Sequence, residues 1–302
     1  MVKTTPAAAE RLSTTRRAYD IVMRVLLWLC TGLTCALLLG LLGYIFYRGV
    51  PHLSWAFLTG TESVLNNTEG IWPAVGNTVY VILVTLLFVL PFGVGAAIYL
   101  TEYAQNRKLV KMIEFATETL SGIPSILYAL VGLLIFSQFL HLGKTLLAAA
   151  LTLVMMNLPT IIRTTQESLK TVPQSYREGA LGLGAGKWRM IRTVVLPNAV
   201  DGIVTGCILA VGRIVGESAV LLYIAGMGTS LNKFAAITST APFIDLSGMV
   251  KSAGSTLTVM LYVYAKERSD FDLAFAVAVI LMVITLAINL IANLVGRKLK
   301  KK

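Results

Sequence analysis

Long apolar runs, separated by short polar and basic segments, dominate the residue pattern of this chain. Six runs reach the length that crosses a bilayer, which is about 17–25 helical residues. Each is predicted to be helical, because lipid offers no hydrogen-bond partners to backbone N–H and C=O groups. The predicted spans are Val25–Tyr47, Thr78–Leu100, Thr119–Leu140, Thr145–Ile162, Ile203–Ile224 and Leu273–Val295. The pattern therefore predicts an all-α membrane protein with about six transmembrane helices.

Interruptions within this pattern predict local departures from straight spans. Pro91, Pro124 and Pro159 fall inside apolar runs and predict kinks that neighbouring helices must satisfy. The stretch Ser255–Ala265 is apolar but too short to span. Runs of about 10–14 apolar residues are typical of re-entrant or interfacial segments, which is the prediction here.

Basic residues predict the orientation of the spans. Most lysines and arginines lie before the first span, after the second, after the fourth, or in the C-terminal tail. Cytoplasmic loops carry such an excess of positive charge, so both termini are predicted to be cytoplasmic. The net charge of +11 follows from this arrangement, beside apolar runs. It predicts contact with a lipid bilayer and no nucleic-acid partner.

The predicted organisation is a single membrane domain with short cytoplasmic extensions. Residues 1–24 form a cytoplasmic N-terminal segment, residues 25–296 the transmembrane domain, and residues 297–302 a basic cytoplasmic tail. Two loops are long enough for functions of their own. One is the cytoplasmic loop of about 163–197, and the other is the external loop of about 226–272.

Residues suited to metal binding or catalysis are sparse. His52 and His141 have no Cys, Asp or Glu nearby at metal-ligand spacing, so no metal site is predicted. The three cysteines all fall inside apolar runs, which is not the pattern of a disulfide framework. No nucleophile–base pair is apparent, so a membrane enzyme is the least favoured class. The cysteines are Cys30, Cys35 and Cys207.

The cytoplasmic loop carries a motif-like segment, residues 173–197, that reads PQSYREGALGLGAGKWRMIRTVVLP. Ser175 followed by Glu178 has the spacing of a capping box and predicts a helix beginning there. The alternating glycines after it predict the end of this helix. A second short helix is predicted from Lys187 to Pro197, giving a helix–turn–helix on the cytoplasmic face.

The pair Gly186–Lys187 in this segment does not form a nucleotide-binding loop. A Walker A motif requires glycine five residues before its last glycine, where this chain has Leu181. It also requires Ser or Thr after the lysine to hold Mg²⁺, and Trp188 stands there. The chain is therefore not expected to hydrolyse ATP itself or to bind a cofactor.

The segment resembles the cytoplasmic signature of ABC importer permeases, E-A-A-x3-G-x9-I-x-L-P. Two positions depart from it mildly, with glycine for the first alanine and valine for isoleucine. In that family this loop is the coupling helix, which docks in a groove of the ATPase subunit. A purely local interpretation stays open for Glu178, which could cap the helix. The matching residues are Glu178, Gly179, Ala180, Gly184, Val194, Leu196 and Pro197.

The resemblance extends to the A-type permeases of the bacterial phosphate-specific ABC importer. It implies a type I ABC importer permease fold that supplies half of the phosphate translocation pathway in the inner membrane. It also implies a heterodimer with a C-type permease, two ATPase subunits that bind ATP and Mg²⁺, and an extracellular phosphate-binding protein. The similar segments are Pro91–Ala104, Ser121–Gly132, Gly212–Leu222 and Ser255–Glu267.

Two charged residues inside the fifth predicted span are candidate pathway residues. Arg213 lies about ten residues into the span, near mid-membrane at about 1.5 Å per residue, and Glu217 follows four residues later on the same predicted helical face. A central arginine costs about 2.5–3.5 kcal/mol on insertion scales. The two could neutralise each other as a structural ion pair. Alternatively, Arg213 could be an anion station that Glu217 restrains, as the resemblance implies.

Two other classes of transporter are alternatives. A permease for another oxyanion, such as sulfate or molybdate, would share the coupling motif but not the whole set of phosphate-type segments. A secondary transporter or channel needs no ATPase, so the coupling motif argues against it.

Overall fold

The computed structural model describes residues 14–63, 68–226 and 253–300. The predicted N-terminal segment, external loop and basic tail each lie partly outside these ranges. A first unit, Met1–Arg48, holds nearly all of helix α1, Thr14–Gly49. Its apolar side chains are exposed on all sides from Tyr19 onwards, which is typical of a membrane span.

The second unit, Gly49–Lys302, contains the other described elements. It begins with a 3₁₀ turn, the helix α2 and an antiparallel pair of strands in which Thr61 pairs with Ile71. Longer helices follow, several continued by wider π-helical turns. The elements are the turn Val50–His52, α2 Trp55–Thr59, β1 Thr61–Ser63, β2 Thr68–Ile71, α3 Trp72–Ile98 with Tyr99–Tyr103, α4 Arg107–Ser121, α5 Ser125–Gly132 with Leu133–Phe139, α6 Leu146–Thr171, α7 Gln174–Gly182, α8 Lys187–Met190 with Ile191–Val195, α9 Leu196–Gly216, the π-helical turn Leu221–Ala225, α10 Leu257–Tyr262 with Val263–Glu267, and α11 Phe271–Lys300.

Five of the described helices are long and apolar enough to cross a membrane, and a bent pair makes a sixth candidate. They match the predicted number of spans. The bent pair is α4 and α5, which meet at an angle of 101°.

The third predicted span, Thr119–Leu140, is therefore not one helix. A kink at Pro124 was predicted, and the structure has a complete break there, with Pro124 extended at φ −58° and ψ 138°. Proline disfavours helical geometry in the residue before it, so α4 ends at Ser121 and a new helix starts at Ser125. Helix α4 is consequently a separate amphipathic helix.

The observed helix also differs from the fifth predicted span, Ile203–Ile224. The helix begins much earlier, at Lys187, and runs through α9 to Gly216. Glu217 is extended, with φ −80° and ψ 116°, and the helical chain resumes at Ala219. The predicted span thus contains a break between its two candidate pathway residues, Arg213 and Glu217.

Helix α6 is the central element of the second unit and packs against both α3 and α9. Glycines allow the close approach, because a side chain at Gly93 of α3 would collide with Ile161, and one at Gly206 of α9 with Thr164. The hydroxyl of Ser168 adds a hydrogen bond to the Ala199 carbonyl at 2.7 Å. The three helices are thereby held in close contact.

The short apolar stretch near Ser255 forms helix α10, which is too short to span, as predicted. Its start is held by α3, where Thr78 Oγ1 accepts from Leu257 N at 2.9 Å and Asn77 Nδ2 donates to the Ser255 carbonyl at 2.9 Å. Leu257 and Met260 are buried. The helix is therefore part of the packed core.

Candidate functional site

The predicted coupling segment forms helix α7 at the end of α6. Its first turn differs from the prediction, because α7 begins at Gln174 after Pro173 and has no side-chain cap. The prediction of a capping box formed by Ser175 and Glu178 is therefore wrong. Within the described part of the chain, the exposed Glu178 carboxylate makes no hydrogen bond or ion pair. That leaves it available for contact with another protein.

The end of α7 was predicted correctly and has a specific geometry. Ala185 N donates to the Ala180 carbonyl at 3.1 Å, and Gly184 N to the Leu181 carbonyl at 2.9 Å. These two bonds are the Schellman motif, whose C′ residue is left-handed and usually glycine. Gly184 occupies that position with φ +81°. Gly179 is exposed, and Ala180 packs against the buried cluster at this end of the helices.

The second helix of the motif does not stop at Pro197. It starts at Lys187 as predicted and then continues into the long helix α9. Pro197 lies in the first turn of α9, directly after a π-helical turn, and Asn198 Nδ2 donates to the Val194 carbonyl at 2.7 Å. Val194 and Leu196 are half-buried. The second helix of the motif is thus continuous with a membrane helix.

An exposed apolar surface surrounds this motif. Leu183, at the turn after α7, is 91% exposed. Three further large side chains of the motif are about half exposed, and exposed apolar patches of this kind mark protein interaction sites. They are Tyr176, Leu181 and Trp188.

Sequence reasoning missed the ion pair that attaches α7 to the membrane helices. Arg177 Nε and Nη2 donate to Glu102 Oε1 at 3.1 and 2.8 Å. The same guanidinium donates to the carbonyls of Val172 at 2.6 Å and Leu169 at 2.8 Å. Both charged side chains are largely buried, 12% exposed for Arg177 and 7% for Glu102. Their separation along the chain leaves no local pattern that predicts the pair.

Arg213 lies one turn before the end of α9 and is half-buried. Its Nη1 is 3.4 Å from Thr160 Oγ1 on α6, which is a weak hydrogen bond. Among the residues that the structure describes, no carboxylate pairs with it. The predicted intrahelical ion pair with Glu217 is therefore wrong, because the helix ends between the two residues.

Glu217 has a different partner set from the one predicted. Its Oε1 accepts hydrogen bonds from Ala219 N at 3.0 Å and Val220 N at 3.4 Å. This is the geometry of an N-cap, in which a side-chain oxygen accepts from the second and third N–H groups of the following helix. Glu217 is 9% exposed. Its carboxylate therefore serves the helix that resumes after the break.

Helix α10 satisfies the other side of the break. Thr258 Oγ1 donates to the Val215 carbonyl at 2.6 Å, which would otherwise lack a partner at the end of α9. Gly254 N donates to the Ala225 carbonyl at 3.2 Å. Arg213 thus lies beside a helix break at which side chains form hydrogen bonds with the otherwise unpaired backbone groups.

Comparison with known proteins identifies relatives over most of the chain. Residues 89–301 match the family described as "Binding-protein-dependent transport system inner membrane component". The probable ABC transporter permease protein YqgI of Bacillus subtilis is 36% identical over 82% of this chain and 83% of its own length. The phosphate transport system permease protein PstA of Yersinia pestis is 31% identical over 84% of this chain and 81% of its own.

A solved structure shares the fold. A chain of the bacterial alginate ABC transporter, in complex with an alginate pentasaccharide-bound periplasmic protein, superposes with a TM-score of 0.66 at 16% identity. The match covers 97% of this chain and 99% of that one. At this identity the likeness concerns the fold alone.

Proposed function

This chain belongs to the family of binding-protein-dependent transport system inner membrane components, and from that premise we propose that it carries inorganic phosphate. It is a multi-pass permease subunit of an ABC importer with the type I fold. In the proposed function, it supplies half of the pathway through which phosphate enters the cell.

One observation carries the choice of phosphate. Arg213 lies inside a membrane span, and its charge has no carboxylate partner among the described residues. A charged arginine in a membrane span without a carboxylate partner is costly, so a role toward an anion accounts for it. The guanidinium fork suits the oxygen atoms of phosphate, to which it donates paired hydrogen bonds. The similarity to a phosphate transport permease supports the same substrate.

The proposed partners follow from the same picture. A second, C-type permease would complete the pathway, and two ATPase subunits would bind ATP and Mg²⁺. The exposed surface of Tyr176, Leu181, Leu183 and Trp188 supports docking of an ATPase at α7. An extracellular phosphate-binding protein would deliver the substrate. This chain would then hydrolyse no ATP itself.

The test is uptake by the reconstituted complex. We expect labelled phosphate to accumulate in proteoliposomes when ATP and the phosphate-loaded binding protein are supplied on opposite sides. An excess of unlabelled phosphate should suppress the signal, whereas sulfate and molybdate should not. Uptake of sulfate or molybdate in place of phosphate would contradict the proposed substrate and leave the ABC permease assignment standing.

A glycine substitution tests the proposed docking of the ATPase. Gly184→Ala is expected to weaken retention of the ATPase, because a left-handed residue with a side chain costs about 1–2 kcal/mol. A β-carbon there meets no atom within 4 Å, so backbone conformation is the cause. Retention is measured by copurification at equal membrane content of the permease.

Gly182→Ala is the matched control, because it is equally exposed and has equal space but lies within helix α7. It should retain the ATPase fully, since alanine favours a helix over glycine by about 0.5–1 kcal/mol. Equal retention by the two variants would show that the left-handed turn at Gly184 is not required for docking.

A further inference from the structure

The ion pair between Arg177 and Glu102 joins three separate elements at one point. Glu102 belongs to the π-helical turn that ends α3, and Arg177 to the coupling helix α7. The two carbonyls that Arg177 also contacts, those of Leu169 and Val172, lie at the end of α6 and just beyond it. A fork of five fixed donors can bind these acceptors together, whereas an ammonium group cannot reproduce that geometry.

Helix α7 has few other polar attachments. Its residues Arg177 and Ala180 are partly buried and the others are exposed, and the helix lies between Pro173 and the turn at Gly184. Among its described side chains, Arg177 alone makes hydrogen bonds or an ion pair, and Ala180 adds an apolar contact. Helix α7 also packs on α8 and on the π-helical turn that leads into α9, and Arg177 is its polar link to α3 and α6.

Contacts continue from Glu102 toward Arg213. Helix α3 runs back from Glu102 through a tightly packed cluster of Val89, Ile161 and Ala210, one residue from each of α3, α6 and α9. Ala210 precedes Arg213 by less than one turn, and Ile161 follows Thr160, the hydrogen-bond partner of Arg213. The route consists of packed side chains on rigid helices, which is a physical means of coupling two sites.

We propose that Arg177 is a positioning residue for transport, which links the movement of helix α7 to helix α3 through Glu102. This inference rests on the proposed function, in which an ATPase docks on α7. The pair would make α3 move together with α7. Movement of α7 during ATP hydrolysis would then change the packing around Arg213. Without the pair, α7 could move with the ATPase while the membrane helices lag behind.

The experiment measures phosphate transported per ATP hydrolysed in proteoliposomes containing the whole complex. Arg177→Lys keeps the positive charge beside Glu102 but loses the fork, and Glu102→Gln keeps the side-chain shape and one acceptor oxygen. Both variants should assemble and retain the ATPase. We expect the ratio to fall about threefold to tenfold in each, which is within the range of measured coupling contributions.

Arg163→Lys is the matched control at the same end of α6. Arg163 also forms two ion pairs, with Glu118 at 3.3 Å and Glu167 at 3.0 Å, but it is 55% exposed and does not contact α7. Exposed ion pairs contribute little, so its transport ratio should match that of the unaltered complex. A loss equal to that of Arg177→Lys would show a nonspecific charge effect and overturn the inference.

The remaining outcomes distinguish the role of Arg177 from the proposed function. A normal ratio in intact Arg177→Lys and Glu102→Gln complexes would overturn the role given to Arg177 and leave the proposed function standing. Failure of both variants to assemble would assign the pair a structural role instead. An unaltered chain that recruits no ATPase would overturn the proposed function itself.

Discussion

Replacing Arg213 with glutamine is expected to reduce phosphate uptake by about thirtyfold or more, because truncating a desolvated charge partner typically costs about 2–5 kcal/mol. Glutamine keeps a hydrogen-bonding side chain of similar reach and can still approach Thr160. It loses the charge and the fork that would hold a phosphate. Uptake is measured as the initial rate in vesicles where the complex is shown to be intact.

The structure makes this single substitution interpretable. If Glu217 were the ion-pair partner of Arg213, the variant would leave a buried carboxylate unpaired and could fail to fold. Glu217 instead accepts from backbone N–H groups, so its partners remain when Arg213 is changed. The double variant Arg213→Gln with Glu217→Gln is therefore expected to be equally inactive. Near-normal uptake by either intact variant would defeat the pathway role.

Hydropathy predicted the spans because each apolar run must be helical in lipid. It could not predict where a span breaks, since breaks depend on partners distant in the chain. The break after Gly216 is tolerated because Thr258 supplies a donor to the Val215 carbonyl. Likewise, the proline at position 124 indicated a kink, but not the 101° turn between α4 and α5.

The coupling motif shows the same division between local and distant signals. Its glycines indicated the turn at Gly184, because the left-handed residue that ends a helix is usually glycine, and this preference is local. The capping-box prediction failed because Pro173 occupies the N-cap position, so α7 starts two residues earlier than Ser175 as N-cap would require. The ion pair of Arg177 and Glu102 depends on the packing of α3 against α6, so no local sequence pattern predicts it.

Glu217 has two properties that could matter at the break, its negative charge and its acceptor oxygen. In the ion pair with Arg213 that the sequence suggested, and that the structure does not contain, the charge would matter most. As an N-cap, its acceptor oxygen matters most, and the charge adds about 0.3–1 kcal/mol by interaction with the helix dipole. The amide of glutamine keeps the oxygen and loses the charge, so it separates these two properties.

Glu217→Ala is expected to destabilise the subunit by about 2 kcal/mol or more. It leaves the N–H groups of Ala219 and Val220 without their acceptor, and each unsatisfied buried donor costs about 1–3 kcal/mol. Glu217→Gln should lose only about 1 kcal/mol or less, which corresponds to the lost dipole interaction. Unfolding of the purified complex by denaturing detergent, followed by helical circular dichroism, measures the difference. Equal destabilisation by alanine and glutamine would mean that the charge, and not the cap, maintains the break beside Arg213.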